Sequence, residues 1–431
     1  MTGGASLGKG PVAAPPSGVR VVLDARPLQD PDRSPVTAAY LDALLAAYDA
    51  TPLAGESFAL LLQSDLDDPT DRFEDLEVIG RRLLPPTRLL RSGALVVDPF
   101  LLTGATLGAA WRAERRGAAG AVYHASAGSM PALTGLPIVV TLLDLAPWEL
   151  PDRFGRGPLG GLGQRLRTRL LRHAAAVIVV SEATARAARA LVRIPRARIH
   201  VIPLAARAAF TPLGSDAAAG RTAAQDRREA ERLGLPGRFF VYSGRYEARH
   251  DLPTLLDAIA ALAAAGRPAS LPETVPWPPR VLLVDASPDD RAALARSAAR
   301  HGLGEAILYA PRLEPERLAS LVRSARAAVL PVLSESAGLA AIEAIACGTP
   351  VVASAVGALP ELVGQAGLLV PPRDAGRLAL ALSTAWTDDA IHGGIAGAAR
   401  EAAGARRRTW ADVALETRAV YARTAAAAGA R

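Results

Sequence analysis

Short apolar runs alternate with longer stretches of helical period along almost the whole chain. In the first half, Val19–Leu23, Phe58–Leu62, Ala121–Tyr123, Ile138–Leu142, Ala176–Val180 and Ile199–Ile202 read as buried strands. Ala38–Tyr48 and Ala183–Val192 repeat apolar positions at helical spacing between them. A polar, Ala- and Gly-rich stretch without strand character follows, from Arg207 to Gly237. The alternation then resumes with Arg238–Tyr242, Val281–Val284, Ile307–Tyr309, Ala327–Leu330, Val351–Ala353 and Leu368–Val370, separated by helices over Thr254–Ala265, Arg291–His301, Pro315–Ala325 and Ala337–Ala346. An Ala- and Arg-rich helix from Trp410 closes the chain. Strands alternating with helices predict parallel sheets covered on both faces, with ligands beyond the C-terminal strand ends. The expected fold class is α/β, with two tandem doubly wound Rossmann-like domains facing a central cleft. The expected boundaries are a flexible tail at 1–18, a first domain at 19–206, a linker at 207–236, a second domain at 237–405, and a C-terminal helix at 406–431 packing back toward the first domain.

Composition narrows the class. At 431 residues the chain exceeds what one core serves, and 50% hydrophobic against 21% charged residues argues for folded structure. With aromatics at 4%, the cores must be built from Ala, Leu and Val. The single cysteine, Cys347, excludes an intrachain disulfide and reads as a buried filler in a reducing compartment. No apolar run reaches membrane-spanning length, and Met1–Gly18 lacks a signal pattern, so the expected location is cytoplasmic. A net charge of +7 favours anionic partners, but Lys9 is the only lysine, and the arginine excess reads as compositional bias. Without a reader motif or aromatic-basic interleaving, nucleic acid is not an expected partner. Arg153–Arg172 is the most basic segment, with Leu162, Leu166 and Leu170 on one helical face. It is either an amphipathic helix packed on the sheet or a peripheral contact with the inner membrane face.

Two stretches carry candidate chemistry. Ser334–Ser354 holds Glu335 and Glu343 with seven residues between them, then Gly348 as a helix stop and Pro350. Eight positions of helix rise span about 12 Å, beyond the roughly 5–9.5 Å of a glycosidase carboxylate pair. The two glutamates therefore bind separate parts of one long ligand, or Glu335 caps a helix and Glu343 is a solvated charge. Glu343 sits inside the apolar run LAAIEAIA, where an unpaired charge is costly, which favours a ligand partner. In Tyr242–Pro253, Gly244 allows a tight turn and Pro253 suits an early helix position. Arg245, Arg249 and His250 are thereby held beside a helix N-terminus, as a diphosphate cradle or as a solvated arginine loop. No GxGxxG follows VVLDAR and no P-loop is present, which argues against a dinucleotide enzyme.

Taken in order, LPTLLDAIAAL, PERLASLVRSARAAVLPVLSESAGLAAIEAIACGTPVVAS and LPELVGQAGLLVPPRDAGRLALAL resemble the C-terminal domain of the retaining family 4 glycosyltransferases (glycosyl transferases group 1), which have the GT-B fold. VVLDARPL, VYHASAGSMPALTGLPIVVTLLDLAPWELP, VIVVSEATARAA and RIHVIPLAARAAF extend the likeness through the first half. The resemblance implies transfer of a hexose, mannose or glucose, from a nucleoside diphosphate sugar to a glycan or lipid-linked acceptor, as in polysaccharide biosynthesis. It implies retention of configuration, no metal, and no cofactor besides the donor. It assigns Glu335 to the donor sugar, Glu343 to the ribose and Arg245 to the diphosphate, with Glu335 and Arg245 catalytic. Arg249 and His250 lie beside Arg245, and the backbone from Ser336 through Ala337 and Gly338 to Leu339 approaches the phosphates.

The chain also departs from the pattern. Asp32–Tyr40 has no glycine where the family has a Gly-rich loop, Leu143 stands before Asp144 in place of the usual histidine, and His250 occupies the position of a phosphate-binding lysine. Ser336-Ala337 replaces Gly-Phe, while Asp285 and Ala205 replace glycines. His124, Asp144 and Ser181 are the acceptor-side candidates; a structural histidine and a helix N-cap are the alternatives for His124 and Ser181. Two readings follow: an active transferase with an unusual acceptor, or a catalytically impaired relative acting as a nucleotide-sugar-binding or partner subunit. Sugar-nucleotide epimerases of the same bilobal fold are the remaining class.

Overall fold

The computed structural model describes residues 18–430 apart from 116–119, 127–128, 155–157, 215–221, Arg245, Ala248 and 406–407. The tail expected at 1–18 therefore lies almost wholly outside the described residues, as does Arg245. Seven parallel strands form the first sheet: β1 (Arg20–Asp24), β2 (Ser57–Gln63), β3 (Val78–Leu84), β4 (Ala121–Ala125), β5 (Ile138–Leu142), β6 (Ala176–Val179) and β7 (Ile199–Val201), in the order β3-β2-β1-β4-β5-β6-β7. Six form the second: β8 (Phe240–Ser243), β9 (Val281–Val284), β10 (Ile307–Ala310), β11 (Ala327–Leu330), β12 (Val351–Ser354) and β13 (Gly367–Val370), in the order β10-β9-β8-β11-β12-β13. Each order reverses once, between β1 and β4 and between β8 and β11. Such switch points leave a crevice beyond the strand ends.

The chain divides into two compact units. One comprises the residues up to Thr141 with His173–Val177 and Ala414–Arg431; the other comprises Leu142–Arg172 and Ile178–Val413. In the first unit, β1 pairs with β2 and β4, and Val21, Val22 and Leu23 are buried. The edge strand β3 is absent from the sequence expectations because VIGRRLL is mostly exposed. Its Arg81 reaches Asp68 at 2.5 Å and Asp71 at 2.7 Å, and a charged edge of this kind resists further strand pairing while erasing the apolar signal. The glycine-free Asp32–Tyr40 stretch is mainly helical, since the helix Pro35–Ala50 starts on its proline.

The part of the helix Trp410–Gly429 that belongs to this unit is held by polar contacts. Arg418 forks onto Glu56, Nε to Oε1 at 2.9 Å and Nη2 to Oε2 at 2.6 Å, with its guanidinium 4.6 Å from the Tyr48 ring centroid. Both partners are almost fully buried. A second buried chain runs from Tyr40 to Thr141 (3.1 Å), Thr141 to His124 (2.8 Å), His124 to Tyr421 (2.7 Å) and Tyr421 to Tyr48 (3.3 Å). His124 has no exposed surface. Its reading as an acceptor contact is therefore corrected: both ring nitrogens serve the interior.

The second unit buries both faces of its sheet. Phe240, Tyr242, Leu283 and Val352 feed one core with the helices Leu252–Ala264 and Ala375–Thr387. Their neighbours Phe239, Val241, Leu282 and Val351 feed the opposite core with Pro315–Ser324 and Leu339–Ala346. The period of two along a strand makes this division. The stretch read as a linker contains the helix Ala223–Arg232, opened by a Thr222–Gln225 capping box. Its Asp226 forks onto Arg323 at 2.7 and 3.0 Å, fixing it to Pro315–Ser324. Among the described residues, no helix is long and apolar enough to cross a membrane.

Two outcomes follow for the first unit. Arg418→Ala leaves the Glu56 carboxylate buried without its partner, so denaturant unfolding should show a loss of about 3–5 kcal/mol; a change well under 1 kcal/mol would remove the pair from the unit's foundations. Burial pushes the His124 imidazole down to about 3, against an opposing pull from Asp24. A depressed folded pKa contributes stability that is complete above the unfolded value of about 6.5 and is lost as pH falls toward the folded one. The stability advantage of wild type over His124→Gln should thus shrink between pH 7 and pH 4. A pH-independent gap would contradict a neutral, buried imidazole.

Candidate functional site

The switch point of the second sheet brings two loops together. β8 ends at Ser243 and β11 at Leu330, and the segments beyond them are stitched by backbone bonds. Asp251 donates its N–H to Pro331 O at 2.7 Å, Leu333 donates to Arg249 O at 2.7 Å, and His250 bridges Val332 antiparallel. Two parallel strands cannot bond directly past their ends in this way, so the loops supply a short antiparallel ladder. It fixes Arg249 and His250 beside the segment Ser334–Gly338.

Within that segment Glu335 turns its carboxylate back on its own chain. Oε1 accepts the N–H of Ala337 at 3.1 Å and of Gly338 at 2.9 Å, just before the helix Leu339–Ala346. The helix thus starts two residues later than the sequence suggests. Gly338 has φ of 60°, and a Cβ there would meet Leu362 Cδ1 at 2.2 Å. The Glu335 carbonyl accepts Ala358 N–H at 2.9 Å, and Gly357 packs so closely that a Cβ would lie 1.8 Å from that oxygen. Glu335 is half-buried and keeps its second carboxylate oxygen outside these bonds. Ser336 is buried; its hydroxyl accepts Leu145 N–H at 3.0 Å and its carbonyl accepts from Thr184 Oγ1 at 3.2 Å.

Arg249 is a cation beside this segment, and the Glu335 carboxylate acts on its charge. Its side chain is 8% exposed, with Nη1 3.3 Å from Asp144 Oδ1 and Nε 3.6 Å from Glu247 Oε2. Burial works against its charge, and the carboxylates of Glu335, Asp144 and Glu247 more than offset that, so the guanidinium stays above its usual pKa. Nε has no hydrogen-bond partner among the described residues, leaving donor capacity unspent. Asp144, expected on the acceptor side, joins this cluster and also accepts Ala146 N–H at 2.8 Å. His250 packs its ring edge-on to Tyr242 at 6.1 Å. Ser181 is corrected to its structural alternative: its hydroxyl accepts Thr184 N–H at 2.9 Å and caps the helix Glu182–Ala187.

Glu343 has a charged partner within the chain, where the sequence favoured a ligand. Arg207 meets it side-on, Nε to Oε1 at 2.5 Å and Nη2 to Oε2 at 3.0 Å. Burial works against Arg207, and Glu343 more than restores its charge; burial also lifts the Glu343 carboxyl above its ordinary value. The two-point geometry at these distances is that of an ion pair. Sequence reasoning missed Arg207 because it lies in a stretch read as linker. The available signal was the apolar run around Glu343, which demanded a cation without saying from where. Asp285 adopts φ of 66°, so the glycine usual at that position matches a backbone need that Asp meets less readily.

Comparison with known proteins agrees with this layout. The model of Glycosyltransferase Family 4 matches residues 78–206, and that of Glycosyl transferases group 1 matches 237–388. A D-inositol 3-phosphate glycosyltransferase of Jonesia denitrificans is 31% identical over 66% of this chain and 63% of its own length. A protein of the same name from Xylanimonas cellulosilytica is 34% identical over 64% of this chain and 62% of its own. The chain thus spans less than two thirds of these relatives. Among solved structures, sucrose-phosphate synthase from Thermosynechococcus elongatus aligns with a TM-score of 0.68 at 22% identity, covering 95% of this chain and 100% of that one. Anabaena HepE in complex with UDP-glucose aligns at 0.64 and 16%, covering 96% and 100%. These structural likenesses speak for the fold alone. By its two domains the chain belongs to the family 4, group 1 glycosyltransferases of the GT-B fold.

Proposed function

We propose that the protein transfers a hexose from a nucleoside diphosphate sugar to a hydroxyl of its acceptor, with retention of anomeric configuration. The observation that carries this reading is the stitched pair of loops at the β8/β11 switch point. They set the buried Arg249 guanidinium, the Glu335 carboxylate and the start of the helix Leu339–Ala346 at one edge of the sheet. When the bond between sugar and phosphate breaks, negative charge grows on the leaving diphosphate. A preorganised guanidinium and free helix N–H groups stabilise that charge more than they stabilise the bound donor, which lowers the barrier. In this reading Arg245 and Arg249 hold the diphosphate, Glu335 holds the sugar, Glu343 the ribose, and Asp144 stands on the acceptor side. The acceptor we propose is a glycan or lipid-linked sugar. The relatives named for D-inositol 3-phosphate make a phosphorylated polyol the other class to test.

A second reading, a donor-binding protein without transfer, draws on one residue. Leu143 is buried and apolar where the resemblance leads one to expect a histidine, so no imidazole is available there to bond a sugar hydroxyl. Titration of the protein with UDP-, GDP- and ADP-hexoses, followed by a donor-hydrolysis screen and acceptor assays with oligosaccharides, lipid-linked sugars and inositol 3-phosphate, separates the two. Binding with turnover supports transfer, binding alone supports the second reading, and no binding at millimolar donor defeats both. Glu335→Ala is expected to lower turnover by ~10²-fold or more, because it removes both the sugar contact and the cap that shapes the loop. An undiminished rate would take Glu335 out of the mechanism.

A further inference from the structure

Arg207 is the least expected residue beside the proposed donor site. It lies outside the β8 and β11 loops, in the segment that follows β7, and that segment is anchored on both sides. Trp410 Nε1 donates to Ala206 O at 3.1 Å, Phe210 N–H closes a turn on Arg207 O at 2.9 Å, and the guanidinium lies 4.9 Å from the ring centroid of the buried Phe210. So held, it forks onto Glu343, whose residue surface is 5% exposed. Glu343 lines a small pocket with Ser243, Leu330 and Ala340, next to the ends of β8 and β11.

We propose that Arg207 is a positioning residue for nucleotide recognition: it keeps Glu343 an ionised, oriented carboxylate so that the ribose hydroxyls have an anionic acceptor. The inference rests on the proposed donor site. An ionised carboxylate accepts from a ribose diol at both oxygens and more strongly than a neutral carboxyl, which keeps one oxygen as a donor, and a carboxyl this buried loses its charge without a cation beside it. The Arg207 fork supplies the cation while using one acceptor position on each oxygen. An ionised carboxylate offers about four such positions, so one per oxygen stays open for a hydroxyl. Lysine would supply charge at a single point without fixing the carboxylate plane.

Isothermal titration with UDP, GDP and ADP, and with the 2′-deoxy form of whichever binds, tests this in wild type, Arg207→Ala, Arg207→Lys and Glu343→Gln, each first checked for an intact thermal transition. Wild type should favour the ribonucleotide. Arg207→Ala should weaken it about tenfold or more and bring the ribo-to-deoxy preference close to one, as Glu343→Gln does with Arg207 intact. Arg207→Lys, the variant that keeps the charge if the alanine form does not fold, should fall between. Unchanged affinity and preference in the Arg207 variants would overturn the proposal and leave the donor site standing. Tighter nucleotide binding by Arg207→Ala would overturn it too, because Arg207 would then compete for the carboxylate. Failure of wild type to bind any of the three would instead remove the donor reading on which it rests.

Discussion

Parallel pairing is the constraint from which the rest of this molecule follows. Parallel neighbours cannot be joined by a tight turn, so the connections are long crossovers, most of them through a helix, and every strand in a sheet points its C-terminal end to the same edge. In the second unit that edge collects the loops after β8 and β11 because the strand order reverses between them. The alternating sides of the same strands fill two cores. The loops are therefore held at their roots by two adjacent, well-buried central strands. Rigid roots suit this chemistry, in which small displacements of a charged group are costly.

How much of this could be read in the sequence follows the same physics. Strands buried on both faces give continuous apolar runs, and all six of the second sheet were legible from them. The C-terminal stop of the helix through Glu343 was legible too, because Gly348 adopts φ of 77° where a left-handed residue is required. β3 escaped because an edge strand needs only one apolar neighbour and here carries arginines outward. The helix Ala223–Arg232 escaped because its apolar content is low and its attachment runs through Asp226 and Arg323 instead. At the site, residue types were legible and partners were not. Glu335 was placed before a helix, but its bonds to Ala337 and Gly338 depend on a backbone path set by Gly357 across the loop. Glu343 read as a charge in want of a partner, for which a ligand was favoured, and its distance in sequence from Arg207 hid the one within the chain.

The arginine richness acquires a structural meaning once the pairs are laid out. Among the described residues, the buried carboxylates of Asp24, Asp98, Glu56, Asp226, Glu229 and Glu343 each meet an arginine. Asp251 instead accepts from Thr254 Oγ1 and from Arg373 N–H. With Lys9 the chain's only lysine, guanidinium groups do this work, forked onto both oxygens at Asp24, Glu56, Asp226 and Glu343. A planar fork satisfies both carboxylate oxygens at once, which offsets much of the desolvation that a buried charge incurs. Each such pair is close to neutral, so the buried pairs explain where many of the arginines go but not the net charge of +7.

Against that background Arg249 is set apart. The arginines at Glu56, Asp226 and Glu343 have two-point contacts near 3 Å or shorter. Arg249 is as deeply buried, yet its approaches to Asp144 and Glu247 are single and long, at 3.3 and 3.6 Å. Its charge is sustained by the combined field of three carboxylates rather than by one fork. A buried cation with incomplete hydrogen bonding is costly to the fold and is retained where a ligand completes it. In the proposed donor site an anion of diphosphate type would supply the missing acceptors, and the surrounding carboxylates would then act against over-tight retention of the product. The same three carboxylates that keep Arg249 charged in the empty site would, by repelling the diphosphate, help to release it after transfer.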